Sequence, residues 1–236
     1  MPINRVLILG DSPRLSTGFG RVNRIAARLF QRQGWQVGAV AGLTTKPPSD
    51  ESDGIKTYVP TGKTDILGLM DIEAAVNDFK PDMVYFTSDL GTAVSLASVT
   101  PGTISGYGYI PIEGGPIANQ DWAMMCKAFP MMTCSNYGAG LIEEQFGRQI
   151  PVAYHAVDHD VFKPDAQARD DVRKMFGWED KFVIICVANN VRRKQIPRLI
   201  EAISMLKTRY HQRDIRLYLH TVPFQSYWLE GHNLDE

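Results

Sequence analysis

The chain has 236 residues, 44% of them hydrophobic, and a formal net charge of −1 at pH 7. That length and content support one large or two small packed domains. The balanced charge argues against a general nucleic-acid-binding surface, although a local basic groove is compatible with it. No apolar run approaches the roughly 20 residues that span a bilayer. The opening MPINRVLILGDS runs straight into a strand without a signal peptide's apolar region and cleavage site. Cys126, Cys134 and Cys186 lie in apolar surroundings without metal-type spacing. The expected compartment is the reducing cytoplasm.

In chain order, Arg5–Leu9 reads as a short apolar strand. A long loop, Gly10–Gly20, leads to a helix from about Arg21 to Gln33, with Val22, Ile25, Ala26, Leu29 and Phe30 as its buried face. Gly34 is placed to end that helix, and Trp35–Ala41 is the next strand. This strand–loop–helix–strand unit opens a Rossmann-like α/β domain, yet Gly10, Gly18 and Gly20 do not form the dinucleotide fingerprint GxGxxG. The glycines and hydroxyls of the loop suit close approach of a sugar or phosphate; tight packing alone could also select them. The stretch Leu43–Thr64 is polar, with a short strand at Ile55–Val59. A helix over Asp71–Phe79 precedes a buried strand at Met83–Phe86, whose end carries Thr87, Ser88 and Asp89. Ligands gather at the carboxyl ends of such strands, so Asp89 is either a polar ligand contact or a helix N-cap.

The segment TISGYGYIPIEGGP is a strand followed by a glycine-rich turn whose single carboxylate is Glu113. It is either an exposed turn residue or a group that orients a hydroxyl-bearing acceptor. A short helix at Trp122–Ala128 offers Trp122, Met125 and Cys126 for packing. Met131–Cys134 follows as a strand, Tyr137–Phe146 as a helix capped by Ser135 or Asn136, and Val152–Tyr154 as a last short strand. Asp158 and Asp160 invite a metal reading, but they sit where a strand exits into a connection, and no metal site is expected. Asp165–Asp180 is charged and helical, as an interdomain connection would be. Phe182–Val187 is a continuous apolar strand of the kind covered on both faces. The helix after it carries Pro197 in its first turn and Ile196, Leu199, Ile200, Ile203 and Leu206 at helical spacing. Between them stand Asn189, Asn190, Arg192, Arg193 and Lys194. Cations beside a helix N-terminus make an anion site, most naturally for phosphate; the alternative is a solvated basic turn. A strand at Ile215–His220 follows, and Thr221–Glu236 shows no clear element.

Four stretches together carry a family resemblance: STGFGRVNRIAARLFQRQGWQV, YIPIEGGPI, CSNYGAGLIEEQFGRQIPVAYHAVDHDVFKP and VANNVRRKQIPRLIEAI. In this order they resemble the GT-B glycosyltransferases of family 4, which transfer sugars from nucleotide donors, mostly with retention. The resemblance implies an α/β fold of two Rossmann-like domains. Residues 1–157 would form the acceptor-side domain, 158–180 a linker and 181–236 the beginning of the donor-binding domain. It implies that Lys194 meets the donor diphosphate, with Arg193 and Asn189 beside it. Gly18 and Gly20 would approach donor or acceptor. His155 would stand near the transferred sugar, or serve equally as a structural histidine at the domain junction, and Glu113 occupies a turn position where an Asp is more common. The substrates implied are a UDP-, GDP- or ADP-sugar and a hydroxyl acceptor, with no tightly bound cofactor.

The chain departs from the family's pattern twice. Asn189 replaces the usual arginine five residues before Lys194. The paired glutamates that grip the donor later in the family have no counterpart; Glu230 and Glu236 in LEGHNLDE have the wrong spacing. Two readings therefore stand, a glycosyltransferase whose second domain is incomplete here, or a non-catalytic relative that kept the scaffold and needs a partner chain.

Overall fold

The leucine- and valine-rich run near the start forms β1 (Arg5–Gly10), an inner strand of a six-stranded sheet. The structure is a computed structural model and describes residues 4–44, 52–211 and 214–222. The chain divides into two compact units, Met1–Ala156 and Val157–Glu236. In the first, β1 is followed by α1 (Gly18–Arg32), β2 (Gln36–Val40), β3 (Ile55–Tyr58), α2 (Ile72–Phe79), β4 (Met83–Thr87) and α3 (Leu90–Val99). Then come β5 (Ser105–Tyr109), α4 (Gln120–Ala128), β6 (Met131–Met132) and α5 (Asn136–Phe146).

The sheet order is β3-β2-β1-β4-β5-β6 with every pairing parallel. The chain thus winds outward from β1 in one direction, returns, and continues from β4 in the other. The carboxyl ends of β1 and β4 flank the switch point where such sheets bind ligands. Alternate residues of β1 face opposite sides: Val6 and Ile8 pack with Ala27 of α1, Leu7 and Leu9 with residues of α2 to α5. Parallel strands buried on both faces give the near-continuous apolar runs seen in the sequence.

The expected α/β class, a Rossmann-like first unit followed by a second parallel unit, is the observed fold. Several elements differ in detail. Helix α1 begins at Gly18, three residues before the expected start, because Thr17 caps it by accepting a hydrogen bond from Gly20 N (3.0 Å). Its buried residues are Gly20, Asn23 and Ala27, whereas Ile25 and Leu29 are 48% and 52% exposed. Asn23 sets that rotation: its Nδ2 donates to the carbonyl of Asp11 (2.9 Å), drawing a polar residue inward beside two small ones. Helix α3 occupies a stretch for which no element was expected. The last expected strand of this unit is a single bridge between Thr133 and Val152.

Strand β5 alternates glycine with tyrosine. A Cβ on Gly106 would lie 2.7 Å from Phe129 Cζ, and one on Gly108 3.1 Å from Phe86 Cε2. The Phe86 and Phe129 rings fill the space the glycines leave, 5.4 Å between centroids, while Tyr107 and Tyr109 pack on the opposite face.

The second unit comprises α6 (Ala166–Phe176), β7 (Phe182–Val187), α7 (Ile196–Thr208) and β8 (Ile215–His220). Strands β7 and β8 pair in parallel from Phe182↔Ile215 to Val187↔His220, with α7 as the crossover. Arg173 of α6 ties the unit's entry together, its Nη1 donating to the carbonyls of Trp178 (2.8 Å) and Lys181 (2.7 Å). Contrary to expectation, β7 is not covered on both faces by the described residues. Ile185 and Val187 remain 65% and 71% exposed, beside the 39% exposed Tyr218 of β8. The stretch Leu229–Glu236, with Glu230 and Glu236, lies outside the described residues.

Candidate functional sites

In the second unit the basic turn is built by backbone geometry. Beyond β7, Arg192–Lys194 form one 3₁₀ turn, in which Lys194 N donates to Val191 O (2.9 Å) and Gln195 N to Arg192 O (3.2 Å). Gln195 then takes a left-handed conformation (φ 51°) that redirects the chain into α7, with Pro197 in the first turn. The Gln195 side chain does not cap that N-terminus, its Nε2 donating to Arg192 O (2.6 Å) instead. The turn therefore exposes three consecutive cations next to a helix start. Arg193 and Lys194 have no acidic partner among the described residues. Asn189, Arg192, Arg193, Lys194 and His220 line a cavity of about 1100 Å³ at the carboxyl ends of β7 and β8. Asn189 is exposed at this cavity, whereas Asn190 is fully buried. The expected trio Asn189, Arg193 and Lys194 is thus brought together.

In the first unit, Gly18 and Gly20 have opposite surroundings. A Cβ on Gly20 would come within 2.8 Å of Ser12 O and 2.9 Å of Leu15 O, while one on Gly18 would meet no atom within 4 Å. Gly20 is accounted for by packing of α1 on its own loop; Gly18 presents open backbone in the capped first turn.

Asp89 and Glu113 line a second cavity of about 550 Å³ at the carboxyl ends of β4 and β5. Asp89 is the N-cap of α3, accepting from Thr92 N and Thr92 Oγ1, both at 2.9 Å. The N-cap reading of Asp89 is the observed one; a carboxylate has about four acceptor sites and the cap occupies two, so acceptor capacity is left at the cavity. The turn carrying Glu113 is fixed from behind, as Gln145 of α5 bonds both Ile117 N (2.9 Å) and Ile117 O (2.8 Å). Trp122 of α4 forms another wall, close to the first turn of α3: a Cβ on Gly91 would lie 3.3 Å from Trp122 Cζ2. Trp122, expected to serve packing, is 39% exposed at the cavity. A lone tryptophan just after a glycine-rich turn at a strand's end was the available signal.

His155 is not among the residues lining either cavity. Its ring meets Tyr109, with Nδ1 3.1 Å from the Tyr109 hydroxyl. That hydroxyl donates its one proton to Ala153 O (2.6 Å), and burial pushes its pKa up to about 12, so it stays protonated. The oxygen can then only accept from His155, which assigns the neutral imidazole proton to Nδ1 and leaves Nε2 an acceptor. Asp158 serves its own turn, accepting from Asp160 N (3.0 Å). Among the described residues no three metal-ligating side chains converge, and no helix is long and apolar enough to cross a membrane.

No protein-family model and no curated protein matches the chain. Among solved structures, its fold is similar to that in the crystal structure of Anabaena Alr3699/HepE in complex with UDP. The TM-score is 0.59 at 13% identity, covering 94% of this chain and 70% of that chain.

Proposed function

We propose that the chain transfers a sugar from a nucleoside-diphosphate sugar to an acceptor hydroxyl, with retention of configuration, as a relative of the family 4 GT-B enzymes. The observation that carries this reading is the Arg193–Lys194 pair, two cations without acidic partners among the described residues, beside a helix start that the Gln195 side chain does not cap. As the bond between sugar and diphosphate breaks, negative charge grows on the leaving oxygen, and fixed cations at a helix N-terminus oppose that charge. The fold likeness to a protein solved with UDP supports a nucleotide donor, with UDP-sugars first among the candidates. Asn189 would supply an amide where an arginine is usual. Gly18 would admit substrate close to the backbone, and His155 Nε2 would accept a hydrogen bond from a sugar hydroxyl. Glu113 would orient the acceptor. In this reading 1–157 serve the acceptor, 158–180 connect, and 181–236 begin the donor domain. The three free thiols support the cytoplasm as its compartment.

The test is thermal stabilisation by UDP, GDP, ADP and their sugar conjugates. A ligand at 100 times its Kd stabilises the folded state by about 2.7 kcal/mol. One nucleotide class should raise the melting temperature, and Lys194→Ala should weaken its affinity at least tenfold. The absence of any shift would sink the donor assignment and favour the non-catalytic scaffold. Anomeric analysis of the product by NMR decides retention.

A further inference from the structure

The donor turn leaves the chemistry of the acceptor open, and the first unit's cavity speaks to it. At about 550 Å³ it falls within the usual range of small-ligand pockets, roughly 300–1,000 Å³. Its walls are apolar and firmly held: Ile112 and Ile117 are buried, and the Gln145 clamp pins the turn that bears Glu113. Its charged lining consists of Asp89 and Glu113, with no lysine, arginine or histidine among the lining residues. An anionic group entering this space would meet two like charges and no counter-ion, which costs more as water is displaced. A ligand rich in hydroxyl donors meets the opposite situation, because carboxylates only accept. Asp89 is already oriented by its two bonds to Thr92 and retains acceptor sites. The accessible indole of Trp122 adds an apolar surface with a polar edge.

We infer that this cavity binds a neutral sugar ring, with hydroxyls donated to Asp89 and Glu113 and a C–H face laid on Trp122. That the bound sugar is the acceptor rests on the glycosyl-transfer reading above; that the cavity binds a sugar does not. The same two carboxylates, although exposed, disfavour a phosphorylated or sialylated glycan, or a nucleic acid, in this cavity.

The full chain, fluorescently labelled, is applied to an array of neutral and acidic glycans, and the strongest neutral binder is then titrated in solution. Binding to neutral glycans is expected, weakened at least tenfold by Glu113→Gln and abolished by Trp122→Ala. Trp122→Phe should retain part of it. Glu113 sits in an exposed turn, so Glu113→Gln leaves folding intact, and Glu113→Lys should move the preference toward acidic glycans. Absence of neutral-glycan binding, stronger binding of acidic glycans, displacement by a single-stranded oligonucleotide, or an unaffected Glu113→Gln variant would each overturn the inference. UDP stabilisation without glycan binding would sink this inference alone. Glycan binding without any nucleotide shift would sink the donor reading and leave the sugar pocket standing.

Discussion

Gly18 and Gly20 are two residues apart in the same helical turn, and the structure predicts opposite outcomes for Gly18→Ala and Gly20→Ala. At Gly20 the added Cβ would stand 2.8 Å from both Ser12 O and Thr17 Oγ1 and 2.9 Å from Leu15 O. Two of those atoms are backbone and have no rotamer to escape into, and the third is the oxygen that caps α1. Overpacking of this kind costs about 1–3 kcal/mol and loss of the cap about 1 kcal/mol more, so a total of about 2–4 kcal/mol is expected. For a unit of this size that corresponds to a fall in melting temperature of roughly 5–15 °C. Gly18→Ala meets nothing within 4 Å and should range from neutral to about 1 kcal/mol stabilising through helix propensity. Calorimetry or urea unfolding of the two variants side by side measures the difference. Equal midpoints, or greater damage from Gly18→Ala, would refute the packing argument. If Gly18 admits substrate, Gly18→Leu should keep its melting temperature and lose transferase activity.

Tyr109→Phe strands the Ala153 carbonyl and should cost about 1–2 kcal/mol; nitrogen NMR should also show His155 losing its preference for the Nδ1–H tautomer. Cys126 is fully buried, and burial pushes its thiol up to about 11. At pH 8 an alkylating reagent should therefore modify Cys126 last of the three thiols, counted by mass spectrometry. Because the folded state holds this proton more tightly, the associated stability is present below about pH 9 and is lost toward about pH 11, on the order of 2 kcal/mol in urea titrations. Asp89→Ala should destabilise by about 1 kcal/mol through loss of the α3 cap, whereas Asp89→Asn should keep the cap and the stability.

Contiguous signals were legible in the sequence. Strands β7 and β8 stand where their apolar runs predicted, and the basic turn was visible because Asn189 to Lys194 are neighbours in the chain. Helix α3 escaped because LGTAVSLASV is apolar nearly all round and shows no helical period. The face of α1 differs from the expected one because periodicity counts apolar residues, while a fully buried side chain of this helix is Asn23, held there by a backbone carbonyl 12 residues away in sequence. The sugar-sized cavity was legible in fragments, as Asp89 and Glu113 taken separately. Its assembly depends on the pairing of β4 with β5, 22 residues apart in sequence, and on Gly91 letting Trp122 approach α3 across 31, contacts that no local pattern records.

The glycine–tyrosine alternation of β5 has a consequence for how the sheet assembles. Glycine weakens a strand, and Ser105–Tyr109 contains two in five residues. What that sacrifices in local strand preference returns as discrimination between registers. Slipping β5 by one residue would swing Tyr107 and Tyr109 into the volume held by the Phe86 and Phe129 rings and put bare glycine against α1's side of the sheet. Misaligned pairings with β4 are therefore rejected by collision during folding, and the two cavity walls that extend from the ends of these strands are brought into the same alignment each time the chain folds.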